Sequence, residues 1–367
     1  MKAKLLILGI LVILGIRTIF NVFSSQMIDF SAYMSTTQTF LSGQNPYLTT
    51  PLSLLYPPAS LLFFLPFSVF PYLYAKTFWT IISLISLFLA LHLIFQKYKD
   101  KISKLHLPAP EMFFLLFILQ LFPVKFSLAQ GQINGFVLLG FVLLYYLIQT
   151  KKPILTGLVL AIIVNLKFLP IFFVLYLLLT KQYKSTLYFA FFYLISNITI
   201  NLFSPIDLNT SFISQTFLRS TRPPLAYYNQ SLTALLYRLG LERISNYLNI
   251  ALLSLTSISV LCKPKNNSLI FSLFLCCILL ISPITWQHYL FWTIPIFLVI
   301  FPQKLNFVSV LTTISFVLIN INIKSPEQYS SNQLLYSHAT VGLIVLYCLL
   351  LFLSFRLPMR TLSQPIH

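Results

Sequence analysis

The sequence predicts an all-α, polytopic membrane protein. Hydrophobic residues make up 58% of the 367 residues and charged residues only 8%, whereas soluble domains average about 25% charged residues. Apolar runs recur along the whole chain, and many approach the roughly 20 residues that a membrane-spanning helix needs. Because these runs are continuous rather than alternating, they exclude a transmembrane β-barrel. We expect roughly 10–12 transmembrane helices.

The predicted spans follow one another in order, separated by two long connections at 24–74 and 204–245. The first span follows Lys2 and Lys4 and lacks a small-residue cleavage site, so we expect an uncleaved membrane helix. No repeat or separate soluble segment interrupts the pattern, which predicts a single domain over 1–367. The spans are 5–23, 75–96, 110–124, 134–149, 153–166, 168–180, 185–203, 246–262, 268–282, 287–302, 305–323 and 338–356.

The stretch 153–180 is predicted to form two short helices, because Asn165, Lys167 and Pro170 are unfavourable in the middle of a lipid-embedded helix. With that break, the lysine clusters between the spans all lie on the cytoplasmic side. The net charge of +18 therefore indicates orientation rather than nucleic-acid binding. We expect a multi-pass protein of a bacterial inner membrane, surrounded by membrane lipids, with its polar segments facing the extracytoplasmic side.

The first long connection predicts a short amphipathic helix in the membrane interface. Gly43 and Pro46 would end it, and the apolar segment 61–70 is too short to span, which favours a half-buried or re-entrant piece. From Asp29 onwards, apolar residues at helical spacing make one stripe, formed by Phe30, Tyr33, Met34, Thr37, Phe40 and Leu41.

Three positions could carry chemistry, each with a structural alternative. Asp29 could cap a helix or act as a general base. Lys167 could extend to the membrane interface or bind a phosphate. His288 could belong to an interfacial aromatic belt or donate a hydrogen bond to a sugar or phosphate. No second histidine or carboxylate stands at a metal-ligand spacing, so the sequence predicts neither a metal nor a cofactor.

The second long connection brings cationic and polar side chains together. Tyr227 and Tyr228 precede Asn229 and Gln230, a combination that suits sugar stacking and hydrogen bonding. Nucleotide-binding signatures (GxxxxGK[ST], GxGxxG, D-x-D) are missing, which favours a transferred group that arrives on a lipid. Four arginines could together hold an anionic head group: Arg219, Arg222, Arg238 and Arg243.

These segments resemble, in the same order, glycosyltransferase family 87, whose members are membrane enzymes of the GT-C type. The resemblance covers about 26–300, although Tyr289 stands where the family often has a second histidine and Ala234 where it often has glycine. The matching pieces are Asp29 with Tyr33, Gly43-x-x-Pro46-Tyr47, Tyr56-Pro57-Pro58 with Pro66, Gly131-Gln132-x-Asn134, Gly157, Lys167-x-x-Pro170, Asn229-Gln230-Ser231-Leu232, Arg238 and Ser282-Pro283-x-x-Trp286-x-His288.

The resemblance implies a GT-C-type helical bundle in which Asp29 is the catalytic base of an inverting transfer. The donor would be a polyprenyl-phosphate sugar, usually mannose, and the acceptor a hydroxyl of a glycolipid or glycan. The donor phosphate would be bound by Lys167, Arg219, Arg222 and Arg238. The substrate pocket would be lined by Tyr33, Asn45, Tyr47, Tyr56, Gln132, Asn134, Asn229, Gln230, Trp286 and His288.

Two other classes of protein fit part of the pattern. A transporter or flippase of lipid-linked sugars would also use broken helices, but it would carry polar residues along a path through the membrane. An O-antigen-type polymerase would carry larger, arginine-rich outer loops than 204–245. The clustering of polar residues on one side favours the enzyme.

Overall fold

A computed structural model of the protein describes residues 2–48, 54–220, 223–262, 267–300, 306–323 and 326–356. Within these ranges the chain is helical and forms no strand. The α-helices are α1 (Lys2–Ser24), α2 (Ile28–Leu41), α3 (Ser60–Ser68), α4 (Tyr72–Ser103), α5 (Pro110–Leu119), α6 (Phe122–Ala129), α7 (Asn134–Gln149), α8 (Pro153–Leu166), α9 (Phe173–Leu179), α10 (Tyr183–Leu202), α11 (Leu208–Ser220), α12 (Leu232–Arg238), α13 (Glu242–Cys262), α14 (Asn267–Ile281), α15 (Ile294–Val299), α16 (Phe307–Asn320), α17 (Gln333–Tyr336) and α18 (His338–Arg356). Short 3-10 helices occupy Leu169–Phe172, Gln287–Thr293 and Pro326–Tyr329.

The described helices group into two compact units. The first contains α1 to α8, α10 and α11, and the second contains α12 to α18 with most of α9. The assignment of 1–367 to one domain stays a prediction.

The predicted class, a polytopic helical membrane protein, is confirmed. Five helical stretches of the described chain are long and apolar enough to cross a membrane: Lys2–Leu41, Tyr72–Ser103, Tyr183–Leu202, Glu242–Cys262 and His338–Phe355. The α5–α6 pair would make a sixth if it forms one bent span. Shorter apolar helices account for further predicted spans, namely Asn134–Gln149, Pro153–Leu166, Leu169–Leu179, Ser268–Ile281 and Phe307–Asn320.

The structure corrects the predicted span 110–124 and one residue of the predicted α2 stripe, and the predicted spans 168–180 and 287–302 begin as 3-10 helices. The continuous span at 110–124 is wrong, because α5 and α6 meet there at 66°. Pro123 lies in the first turn of α6, where proline fits at a helix start but cannot continue the helix before it. The predicted apolar stripe of α2 is buried except for Leu41, which is 58% exposed at the end of the helix.

The break predicted within 153–180 is confirmed. α8 ends at Leu166, and Lys167 is extended (φ −155°, ψ 120°) before the 3-10 helix begins. Pro170 lies in the first turn of that short helix, so the chain has no helical hydrogen bond to lose there. The break places Lys167 where the helical path is interrupted.

An aromatic cluster around Trp79 forms the core of the first unit near α2. The indole of Trp79 is fully buried and lies 5.0 Å from the ring of Phe30, 5.3 Å from Phe67 and 5.4 Å from Phe136, centroid to centroid. These rings come from α2, α3, α4 and α7. Because large aromatic side chains bury much apolar surface and pack in defined orientations, the cluster fixes the start of α2 against three other helices.

Candidate active site

Asp29 lies in the first turn of α2, immediately after the chain leaves α1. The cap of α2 is Met27, in the left-handed conformation with φ 48°, and no side chain caps the helix. The capping alternative for Asp29 is therefore wrong. The backbone N–H groups of Asp29 and Phe30 donate to the Gln130 carbonyl, over 3.0 and 3.3 Å. The half-buried carboxylate lies at the helix N-terminus, where the macrodipole favours negative charge.

A tight turn at Gly131 brings the next polar residue to Asp29. Gly131 has φ +70°, and a Cβ there would lie 2.7 Å from Cβ of Phe30 and 3.0 Å from Cβ of Met27. Only glycine fits this backbone and this space. The Gly131 carbonyl accepts a hydrogen bond of 2.9 Å from Nε1 of Trp79, so the aromatic core holds the turn in place.

The Gln132 carboxamide accepts hydrogen bonds from two donors. Its Oε1 accepts from the Tyr33 hydroxyl at 3.2 Å and from Nζ of Lys167 at 3.3 Å, and the side chain is 6% exposed. Burial raises the pKa of the nearby Asp29 carboxyl, and Gln132 and Lys167 act in the opposite direction.

Lys167 supplies a buried positive charge beside this amide. Its side chain is 2% exposed, and Nζ donates to Oδ1 of Asn134 over 2.7 Å as well as to Gln132. Asn134 in turn donates to the Ser127 hydroxyl over 3.0 Å. The Lys167 ammonium interacts electrostatically with the Asp29 carboxylate. Since buried charges are retained only with partners, Lys167 depends on these amides and on Asp29.

Three further predicted residues pack around this network. Tyr33 and Tyr56 share a hydroxyl contact of 3.2 Å, and the Tyr56 carbonyl accepts from the Tyr47 hydroxyl over 2.8 Å. Asn45 accepts from the Tyr47 N–H and donates to the Ser211 hydroxyl over 2.8 Å. Tyr33 thus contacts both Gln132 and Tyr56. Tyr47, which Asn45 holds through its backbone N–H, bonds to the Tyr56 backbone.

Asp29 differs from every other carboxylate of the chain. The Asp207 carboxylate, which is exposed, accepts from the N–H groups of Asn209 and Thr210 at the start of α11. Hydrogen bonds from Thr210 hold its pKa below the usual range, as expected of a helix cap. Glu111 pairs with His92. Three more are exposed: Asp100, Glu242 and Glu327.

In the second unit, Asn229 and Gln230 are fully buried and bind neighbouring backbone. The Asn229 amide donates to the carbonyls of Pro224 and Pro283, and its oxygen accepts from the Thr285 N–H over 2.9 Å. Gln230 donates to the Tyr336 carbonyl over 3.0 Å and accepts from the Ala339 N–H over 3.1 Å. These contacts hold the segments 223–231, 283–287 and 336–340 together. The substrate-binding role predicted for both side chains stays a prediction.

Arg238 is engaged within the same unit. Its guanidinium donates to the Ser337 hydroxyl over 2.6 Å and to the carbonyls of Ala226 and Asn229, both over 2.7 Å. It also lies 5.0 Å from the Tyr336 ring centroid. Burial lowers the pKa of Arg238 to about 10, so the group stays protonated at neutral pH. The phosphate-binding role predicted for Arg238 stays a prediction.

Four predicted residues remain. Trp286 is half-buried and pairs with Asn229 in an antiparallel bridge, and His288 is buried with its ring 5.0 Å from that of Tyr289. Arg219 lies in α11, but its side chain is outside the described residues, as is all of Arg222. Among the described residues, no three His, Cys, Asp or Glu side chains come together as a metal site.

The comparison with protein families settles the class. The family described as glycosyltransferase family 87 matches residues 54–283, more than half of the chain. The chain belongs to glycosyltransferase family 87. It is therefore a membrane glycosyltransferase, which uses a sugar donor and an acceptor. No curated protein and no solved structure matches it.

The matched range of this family 87 enzyme begins after Asp29 and includes Gln132 and Lys167. Asp29 is tied to the matched segment by contact rather than by sequence position, because its backbone N–H donates to the Gln130 carbonyl over 3.0 Å. The first unit therefore combines a carboxylate, a cation and hydroxyl groups, which together can accept a proton and position a hydroxyl-bearing substrate.

Two residues that organise the site of the family 87 enzyme were missed by sequence reasoning. Trp79 holds the Gly131 turn, and Ser127 orients Asn134. A serine within an apolar helix, seven residues before Asn134, is a signal that could have indicated Ser127. Trp79 has no such signal, because a tryptophan in a membrane helix is equally typical of simple packing.

Proposed function

We propose that this family 87 enzyme transfers a hexose, usually mannose, from a polyprenyl-phosphate sugar to a hydroxyl of a glycolipid or glycan. Asp29 is the general base. It takes the proton of the acceptor hydroxyl while the hydroxyl oxygen attacks the anomeric carbon. The bond from that carbon to the phosphate oxygen breaks, polyprenyl phosphate leaves, and the configuration inverts. A positioned general base contributes about 10²- to 10⁴-fold to such a transfer.

One observation carries this proposal: within the described part of the chain, Asp29 is the carboxylate that interacts electrostatically with a buried cation, Lys167. Burial raises the pKa of the Asp29 carboxyl, which strengthens the carboxylate as a base, and Gln132 and Lys167 act in the opposite direction. The other carboxylates cap a helix, pair with histidine or are exposed.

The position of Asp29 supports an extracytoplasmic reaction. α1 has 23 residues, about 34 Å at 1.5 Å per residue, enough to cross the hydrocarbon core. Lys4, near the start of α1, donates to the carbonyls of Leu105 and His106, which follow the lysine-rich end of α4. These lysines mark the cytoplasmic end by the positive-inside rule. Asp29 follows the opposite end of α1, at the level of lipid head groups.

The experiment is sugar transfer in membranes containing wild type, Asp29→Asn or Asp207→Asn. Labelled polyprenyl-phosphate mannose is the donor, and parallel reactions receive a nucleotide sugar or a polyprenyl-pyrophosphate glycan. We expect transfer from the polyprenyl phosphate by wild type and Asp207→Asn, and a loss of about 10²-fold or more in Asp29→Asn. The Asp207→Asn enzyme is the matched control, because asparagine also caps a helix.

Each arm of the experiment tests one part of the proposal. Near-normal transfer by folded Asp29→Asn would exclude Asp29 as the base. Transfer from the nucleotide sugar or the pyrophosphate glycan alone would refute the donor and leave membership of the family intact. A product that retains the anomeric configuration of the donor would refute the single displacement.

A further inference from the structure

Two cations of the first unit lie inside apolar helices rather than at their ends. Arg17 is an exposed residue of α1, and Lys125 is a half-buried residue of α6. Arg17 precedes Ser24, the last residue of α1, by seven residues, or about 10 Å at 1.5 Å per residue. Its backbone therefore lies in the part of α1 that crosses the hydrocarbon core. A charge at that depth is costly, and such residues typically mark functional sites.

The packing of α1 against α5 fixes the level of Arg17. A Cβ at Gly15 would lie 2.7 Å from Cδ2 of Leu116, and the Thr18 hydroxyl donates to Oε1 of Gln120 over 3.4 Å. Leu116 lies in the last turn of α5, and Gln120 follows its final residue. Since Arg17 stands between Gly15 and Thr18, it is level with the end of α5, where the chain bends by 66° into α6.

Lys125 lies one turn into α6, close to this level. Its N–H donates to the Leu121 carbonyl over 3.0 Å, and Leu121 immediately precedes α6. α6 packs against α1, and the charges of Arg17 and Lys125 interact electrostatically. The two neighbouring helices therefore place two positive charges at one level of the first unit.

Within the described part of the chain, no carboxylate compensates this pair. Neither side chain forms a hydrogen bond or an ion pair with a described residue, and Asp29 interacts with Lys167 instead. Like charges repel, most strongly in surroundings of low dielectric constant, so an anion between the two cations would stabilise both. A phosphate suits them, because a guanidinium binds two phosphate oxygens at once and an ammonium adds a point charge.

The surface around Arg17 favours an anion that is carried by a lipid. Its neighbours Ile13, Ile16 and Phe20 on α1 are each at least 65% exposed, so this side of the helix faces hydrocarbon. A soluble phosphate would have to leave water to reach Arg17, at a large cost in solvation. A phosphate on a lipid chain arrives from within the bilayer, with its apolar chain against these side chains.

We propose that Arg17 and Lys125 form a site, open to the bilayer, for the phosphate of the lipid-linked sugar donor. The site rests on the proposed function, and it adds two cations to those predicted from the sequence. α6 connects it to the base: five residues after Lys125, the Gln130 carbonyl accepts from the Asp29 N–H over 3.0 Å. The donor thus enters from the membrane, and its phosphate is held one short helix away from Asp29.

The test measures binding of polyprenyl phosphate and of polyprenol, its uncharged alcohol, to the purified full-length protein in phosphatidylcholine nanodiscs. Arg17→Gln and Lys125→Gln should each weaken polyprenyl-phosphate binding by about 10- to 100-fold, as expected for a hydrogen bond to a charged group. Polyprenol binding should stay unchanged, and Arg17→Lys should restore part of the preference for the phosphate. Lys2→Gln, which removes an exposed charge from the other end of α1, is the matched control.

The comparison of the two ligands separates loss of charge from loss of fold. Equal weakening of both ligands would overturn the inference, because the cations would then not recognise the phosphate. Unchanged binding would also overturn it and leave Arg17 as a side chain that only extends to the head-group layer. Competitors identify the source of the anion. Displacement by phosphatidylglycerol as effective as by polyprenyl phosphate would assign the site to membrane lipids, and displacement by inorganic phosphate would refute access from the bilayer.

Turnover gives an independent measurement. KM for polyprenyl-phosphate mannose should rise in Arg17→Gln and Lys125→Gln with kcat little changed, as expected when binding is lost equally in the ground state and the transition state. A fall in kcat with KM unchanged would overturn the inference. Activity retained by Asp29→Asn, or a wild type that does not use this donor, would instead refute the proposed function. Binding is measured without turnover, so the two failures are distinguishable.

Discussion

The packing of α8 against α10 at Gly157 predicts a large effect from a single methyl group. A Cβ at Gly157 would lie 2.5 Å from the backbone nitrogen of Phe189, 2.6 Å from Cβ of Tyr188 and 2.7 Å from its carbonyl carbon. Two of these atoms are backbone and cannot rotate away, so α8 must move by about 1 Å to restore ordinary contact. Overpacking of this kind costs about 1–3 kcal/mol, against a helix-propensity gain of about 1 kcal/mol for alanine.

The displacement would also reach the active site. Asn165 and Lys167 follow Gly157 on α8 and at its end, so movement of α8 shifts the Lys167 ammonium relative to Gln132. We expect Gly157→Ala to lower the free energy of unfolding by up to about 2 kcal/mol, the net of the two contributions. Turnover should fall with it, by up to about 100-fold for a displacement near 1 Å.

The assay compares Gly157→Ala with Gly9→Ala in one detergent, by denaturant unfolding and by sugar transfer. Gly9 is the matched control because it lies in α1 and no atom lies within 4 Å of the position that a Cβ would take there, so alanine should leave stability unchanged or raise it. If Gly157→Ala is as stable and as active as Gly9→Ala, the close approach of α8 and α10 does not limit packing and the reasoning fails.

Two further predictions concern single side chains. Asn229→Ala should lower the free energy of unfolding by about 1–3 kcal/mol for each backbone group left without a hydrogen bond, such as the Thr285 N–H. Denaturant unfolding measures this loss. Unchanged stability would show that other groups can replace these bonds. Asp207→Ala should lower the free energy of unfolding near neutral pH. A carboxylate with a lowered pKa stabilises the fold only while it is ionised. The difference in unfolding free energy between variant and wild type should therefore shrink as the pH falls below about 4. Unfolding measured across pH tests this, and a difference that persists at acid pH would contradict it.

Much of the fold was predictable because lipid leaves few alternatives. Long apolar runs must form helices, so the predicted spans 5–23, 75–96 and 134–149 lie within α1, α4 and α7. The break at Lys167 was predictable for the same reason, since a charge in mid-span needs an interruption or a partner. The 66° bend between α5 and α6 was not, because Pro123 is compatible with a bend of any size.

The candidate site was predictable in composition but not in arrangement. Asp29, Gln132 and Lys167 were recognisable as polar residues in apolar sequence, yet they lie far apart in the chain and meet through the Gly131 turn and the end of α8. Asn229 was recognisable on the same grounds, and its amide instead holds backbone segments together. Local sequence carries no information on which partner a buried amide finds.

The two buried amides Asn229 and Gln132 show what distinguishes a structural polar group from a functional one in an apolar protein. Every buried polar atom needs a partner, so burial alone identifies neither. Asn229 bonds to uncharged backbone groups, and its removal should change stability first. Gln132 accepts from the buried Lys167 ammonium and from the Tyr33 hydroxyl beside the half-buried Asp29, and its removal should change turnover first. The identity of the partner, neutral backbone or ionised side chain, therefore predicts which measurement responds.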